Sequence, residues 1–243
     1  ARRWGEGCGL GGGMRLERVS IVSVRRVDGP QGVTSAEIQE QLADTMERLG
    51  VKPDLLESGV GIRERRFWDE GFARSDAATL AARAGLDDSG LDPAKLGTLL
   101  NTSVCRDYIE PSTACLVHGN LELPDTCTNM DIGNACLAFF NGMEIIGNMI
   151  ERGQIDYGLI VDGESARFLT EQTIGRLKQS STDMKTFHEE FACLTTGSGA
   201  VAMLLANAEL VDNSHRFKGT VSLSDTKHNR LCLGQLDRGW TDT

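Results

Sequence analysis

Between Thr128 and Gly142 the chain reads Thr-Asn-Met-Asp-Ile-Gly-Asn-Ala-Cys-Leu-Ala-Phe-Phe-Asn-Gly, and its one cysteine, Cys136, sits where a nucleophile could work. The pattern predicts a short strand that turns at Gly133-Asn134 and delivers Cys136 into the first turn of an apolar helix. The positive end of a helix dipole favours a thiolate over a thiol. Backbone N–H groups left unpaired at a helix start can also stabilise an oxyanion. Together these suit acyl transfer through a thioester. Asn134 is the expected N-cap. If its side chain takes the Leu137 N–H, the Cys136 N–H stays free for a ligand oxygen.

The elements that must hold this thiol follow from periodicity. Asn141, Glu144, Asn148 and Glu151 form one narrow polar stripe, while Leu137, Phe139, Phe140, Met143, Ile145, Ile146, Met149 and Ile150 cover the rest. Such a helix is buried on most sides. Its aromatic and methionine side chains could line an acyl channel, with core packing as the default reading. Strands are expected at Val19–Val24, Leu96–Val104, Tyr157–Val161 and Ser198–Leu205. Helices between them give an α/β architecture. Thr34-Ser-Ala-Glu37 offers a capping box to a helix carrying Ile38, Leu42, Met46 and Leu49, with Gly50 as its stop. Ser75 is the expected cap of an alanine-rich helix, and Pro111 suits the first position of the next. Residues 168 to 191 read as an insertion over the core.

Composition narrows the classes. The chain has 243 residues, 40% hydrophobic and 25% charged, with a formal net charge of −10. That charge argues against a nucleic-acid surface and a polybasic membrane anchor. No apolar run approaches the roughly 20 residues of a membrane span. Seven cysteines without a CxxC pair speak against a disulfide framework or a zinc site and for a reducing cytoplasm. Most are expected to be small buried side chains. Asp162 and Glu164 follow a strand, but without further ligands at suitable spacing they read as turn and packing residues rather than a metal site. Arg63, Arg65 and Arg66 read equally as phosphate-recognising guanidiniums or as a solvated face.

These motifs resemble the thiolase superfamily, and within it the ketoacyl synthase III group, over nearly the whole chain from Met14. Gly61-Ile-Arg-Glu-Arg-Arg66 with Ser75-Asp76, Asn101-Thr-Ser103, Pro111-Ser-Thr-Ala114, the stretch from Asp131 to Phe139, and Thr196-Gly-Ser-Gly-Ala-Val201 carry that likeness. The stretches from Asn101 to Thr113, Asn134 to Met143 and Ile155 to Glu164, with Leu236-Asp-Arg238, are similar to the olefin-biosynthesis branch, which joins two fatty acyl-CoA molecules head to head. Ala138, where chain-initiating synthases carry glycine, favours that branch.

The resemblance implies a thiolase-like N-terminal half, a mixed five-stranded sheet with helices on both faces. Residues 1–13 would be a disordered leader, 14–210 the domain, and 211–243 a connection towards a second half. The family's catalytic histidine and asparagine come from that second half, and none of His118, His188, His215 or His228 lies in a matching segment.

The implied reaction is a Claisen condensation in lipid metabolism. Cys136 takes an acyl group from a fatty acyl-CoA, and a second acyl-CoA, deprotonated at its alpha carbon, attacks that acyl-enzyme. Resemblance implies that Glu110 is the base, reaching across a homodimer; the bland reading is a carboxylate favouring the next helix N-terminus. Arg63, Arg65 and Arg66 would meet CoA. Coenzyme A thioesters are substrates, and no cofactor or metal is expected. The strand from Thr126 to Ile132 would pair with its two-fold mate. Two alternatives stay open: a chain-initiating 3-oxoacyl-carrier-protein synthase III and a non-catalytic dimerisation module.

Overall fold

The computed structural model describes residues 13–212 and 214–229. The leader up to residue 12, Cys8, Cys232 and the Leu236–Arg238 likeness lie outside the described residues. The strands are β1 (Gly13–Arg15), β2 (Val19–Asp28), β3 (Gln31–Thr34), β4 (Glu64–Phe67), β5 (Thr98–Asn101), β6 (Thr128–Asp131), β7 (Tyr157–Glu164), β8 (Gly199–Asn207), β9 (His215–Arg216) and β10 (Gly219–Val221). The α-helices are α1 (Ser35–Gln41), α2 (Ala43–Leu49), α3 (Leu55–Ser58), α4 (Arg74–Ser89), α5 (Thr113–Asn120), α6 (Ala138–Glu151), α7 (Arg167–Leu177) and α8 (Met184–Glu190).

The main sheet runs β6-β5-β7-β8-β2-β9. Strands β6, β5 and β7 are mutually parallel, and β8, β2 and β9 join antiparallel. This is the expected mixed sheet, with the two-residue β9 added at the edge. Side chains alternate along the central strands as a period of two requires. Leu99, Leu159 and Val161 pack in a core with α4 and α5, while Leu100 and Ile160 pack in another with Met143, Ile146 and Ile150 of α6. Helices therefore cover both faces. A third core gathers Ile38, Leu42, Met46, Leu56, Ile174, Leu177 and Phe187 from α1, α2, α3, α7 and α8.

Helix starts differ from the sequence reading where a distant side chain does the capping. The Thr34–Glu37 capping box is formed, and Gly50 closes α2 at φ 68°. Ser75, however, lies inside α4. The cap there is Asp107, whose carboxylate accepts from Arg74 N at 2.8 Å and Ser75 N at 2.9 Å. Pro111 precedes α5 rather than opening it, in a cis peptide with Glu110, and Ser112 is the N-cap. Asp131 supplies the anion there, accepting from Thr113 N at 3.1 Å and Ala114 N at 2.8 Å. The described part of 211–229 folds back onto the body: β10 pairs with β1, and Phe217 packs in the α6 core.

Candidate active site

Strand β6 aims the chain at the nucleophile. Asn101 Nδ2 donates to Asp131 at 3.2 Å, and Ile132 N donates to Asn101 O at 2.8 Å. The backbone then bends sharply: Asn134 sits at φ −152°, ψ 41°, and Ala135 at φ 44°. A left-handed alanine costs about 1–2 kcal/mol, and such strain tends to collect at functional positions. Cys136 follows in a single 3-10 turn, Ala135–Leu137, which runs into α6. The thiol thus lies one step ahead of the α-helix proper, and it is exposed.

The expected Asn134 side-chain cap is not formed. Leu137 N donates to the Asn134 carbonyl at 3.0 Å, while Asn134 Nδ2 donates to Asn141 Oδ1 at 2.7 Å. Asn141 in turn donates to Glu144 at 3.4 Å. The polar stripe on α6 is thus a brace for the elbow, and Glu144 also accepts from Ser222 at 3.0 Å. Hydrogen bonds to Thr220, Ser222 and Asn141, with Thr220 the main contributor, hold the Glu144 carboxyl below its usual range. Among the described residues the Cys136 side chain has no hydrogen-bond partner. Its N–H has no acceptor outside its own turn, as an oxyanion donor requires.

Of the five described cysteines only Cys127 is fully buried, which corrects the expectation that most are buried; Cys115 is exposed like Cys136, and Cys105 and Cys193 are half-buried. Cys105 and Cys127 are pushed up to about 11, mainly by desolvation, which suits packing thiols. The elbow itself is flanked by exposed Leu137 and Phe140. Met143 is buried and Phe139 half-buried in the α6 core, so both pack as core residues.

Glu110 is exposed in the loop between β5 and α5, next to Tyr108 and Ile109, which are 60% and 73% exposed. Among the described residues its carboxylate forms no hydrogen bond or ion pair. The hydrogen bonds that cap α5 come from Ser112 and Asp131, and Glu110 makes none of them. The three arginines part company. Arg65 is buried and donates to Val33 O at 3.3 Å and Ser35 Oγ at 3.0 Å, and burial pushes its pKa down. The phosphate reading is therefore corrected for Arg65. Arg66 donates to Gly29 O at 2.8 Å, Pro30 O at 2.6 Å and Glu64 at 3.1 Å, fastening the same hairpin. Arg63 is exposed, and its guanidinium has no partner among the described residues.

Asp162 and Glu164 have the packing role expected of them. Asp162 accepts from Thr102 Oγ1 at 2.9 Å, and Glu164 accepts from Val104 N at 2.6 Å and Cys105 N at 3.2 Å. Burial, then the Glu164 charge, pushes the Asp162 carboxyl up to about 6, against the Thr102 hydrogen bond. No cluster of metal-ligating side chains occurs among the described residues. Asp107, the Ala135 strain and the Asn134–Asn141 pair escaped the sequence reading. Asp107 offers only a polar residue in a loop, Ala135 offers no signal, and Asn134 and Asn141 stand out singly but not as a pair.

No protein-family model matches the chain. It is 49% identical over 230 residues to the acyl-CoA:acyl-CoA alkyltransferase of Xanthomonas campestris, covering 95% of this chain and 68% of that protein. The Shewanella oneidensis protein of the same name is 37% identical over 222 residues, covering 90% of this chain and 63% of its own length. The fold overlays on a histidine-to-alanine variant of X. campestris OleA with TM-score 0.89 and 49% identity, over 93% of this chain and 66% of that one. A Xanthomonas oryzae structure named 3-oxoacyl-(acyl carrier protein) synthase III overlays equally well, at TM-score 0.89 and 49% identity, over 91% and 66% of the two chains. The chain spans about two thirds of the length of these relatives. With 49% identity over 95% of its length to one relative and an overlay at TM-score 0.89 on a solved structure, the chain belongs to the acyl-CoA:acyl-CoA alkyltransferase (OleA) family of the thiolase superfamily.

Proposed function

We propose that this chain carries the nucleophile of an enzyme that condenses two fatty acyl-CoA molecules. The observation that supports this most is the exposed Cys136 on its elbow, in a chain 49% identical to a named acyl-CoA:acyl-CoA alkyltransferase. The Cys136 thiolate attacks the thioester carbonyl, the CoA thiolate leaves, and the acyl group stays on sulfur. The Cys136 N–H is suited to donate to the oxyanion of that step. A second acyl-CoA then gives its alpha proton to Glu110. Its enolate carbon attacks the acyl-enzyme carbonyl and expels Cys136, leaving a β-keto acyl-CoA branched at the alpha carbon. The substrates are coenzyme A thioesters, with no resident cofactor, and of Arg63, Arg65 and Arg66 it is Arg63 whose guanidinium is uncommitted among the described residues and can meet a CoA phosphate.

The working unit in this reading is a homodimer. Among the described residues strand β6 is bonded to β5 on one side only, so its outer edge can pair with a second copy. The projecting Glu110 tip would then serve the partner's Cys136. The free thiols fit a reducing cytoplasm, and among the described residues no helix is long and apolar enough to cross a membrane.

Incubation with a mass-tagged fatty acyl-CoA tests the nucleophile. One acyl group per chain should appear on Cys136 and vanish in Cys136→Ala; labelling that survives the substitution overturns the assignment. No labelling of the parent chain would instead favour a dimerisation module. The X. oryzae name keeps a second reading alive, a synthase extending a primer with a malonyl-carrier protein. Malonyl decarboxylation needs no carboxylate base, so carbon dioxide release and indifference to Glu110→Gln would mark that enzyme.

A further inference from the structure

The loop from Thr102 to Ser112 is fastened at both feet and free at its tip. At the first foot Thr102 Oγ1 donates to Asp162, Ser103 Oγ donates to Asn101 at 2.7 Å, and Gly163 N donates to Ser103 Oγ at 2.8 Å. Glu164 then accepts from two consecutive amides, Val104 N and Cys105 N, one on each carboxylate oxygen. Halfway along, Asp107 is tied to the start of α4. At the far foot Ser112 and Asp131 cap α5. Between Asp107 and Ser112 the described side chains make no hydrogen bonds, and the tip holds exposed Tyr108, Ile109 and Glu110.

From this arrangement we infer that Glu164 is a positioning residue for Glu110: its two-pronged grip on Val104 and Cys105 sets where the tip, and the Glu110 carboxylate, stands against an acyl group on Cys136. The inference rests on the reading of Glu110 as the base. A general base must come within hydrogen-bond reach of its proton, and a misplacement of about 1 Å can cost on the order of a hundredfold in rate. No regular structure stiffens residues 102–112, so these side chains set its course. Hydrogen bonds to an ionised carboxylate are roughly twice as strong as neutral ones. A glutamine at 164 keeps one acceptor and turns an NH2 towards the other amide. The Trp68 Nε1 bond to the Glu164 carbonyl is indifferent to that change.

The protein as encoded in full should be assayed for Cys136 acylation by intact mass and for β-keto product. Glu164→Gln should acylate within twofold of the parent but condense about tenfold more slowly, and the Val104 and Cys105 amides should exchange hydrogen faster while α6 keeps its protection. Glu110→Gln should acylate and fail to condense, and the double variant should acylate as fast as Glu110→Gln alone, which a general loss of structure would not allow. Glu164→Asp, retaining a charged acceptor, gives the same comparison if the glutamine variant does not fold; its condensation should fall between. Parental condensation by Glu164→Gln, or equal losses of acylation and condensation, overturns the positioning role. Parental condensation by Glu110→Gln removes the base itself and the inference with it.

Discussion

Cys136 is set apart by its place on the elbow, since Cys115 is exposed as well. Cys105 and Cys127 are shielded and pushed towards the thiol form, whereas Cys136 is offered to solvent on a bend that alanine rarely adopts. Asp162 shows the converse use of burial. Its folded carboxyl stands near 6, above its unfolded value, so folding favours the protonated form. That contribution is complete below the unfolded carboxyl range and is lost as pH rises through about 6. Asp162→Asn should therefore stabilise the fold at pH 8 by on the order of 2 kcal/mol and change little near pH 4. Urea unfolding at the two pH values checks this; equal effects at both would contradict the assignment.

Helix α6 is held close to the sheet by Gly142. A Cβ there would stand 3.3 Å from Thr102 Cγ2 and 3.4 Å from Ile160 Cγ2. Gly142→Ala should come out near neutral, because the small crowding is offset by about 1 kcal/mol of helix propensity. Gly142→Leu should cost about 1–3 kcal/mol from overpacking and slow Cys136 acylation, because the elbow moves with the helix. The measurements are a denaturation midpoint and an acylation rate. A leucine variant of parental stability and rate would show the helix to be less constrained than its packing indicates.

The sheet is closed differently at its two ends. Strand β9 and the returning chain shield the β2 edge, while among the described residues β6, which carries exposed Met130, has no partner on its outer edge. If that edge joins two copies, Met130→Lys should shift the protein to monomer at micromolar concentration, since charged side chains blunt strand edges. Sedimentation velocity reads the shift. Condensation should then fall while acylation persists; a monomer that condenses normally would place Glu110 in its own chain's site.

The alternation of strands and helices and the Thr34–Glu37 cap are legible in order along the chain, because they depend on neighbours within a few positions, whereas the mixed strand order comes only with the family resemblance. Asp107 capping α4, Asp131 capping α5, Arg65 sealed into its hairpin and Glu164 gripping residues 104–105 were not legible. Each joins groups that are from 17 to 60 residues apart. A carboxylate or guanidinium looks the same in sequence whether solvated or committed. Its partner is chosen only when the strands align and bring distant N–H and C=O groups within reach of it.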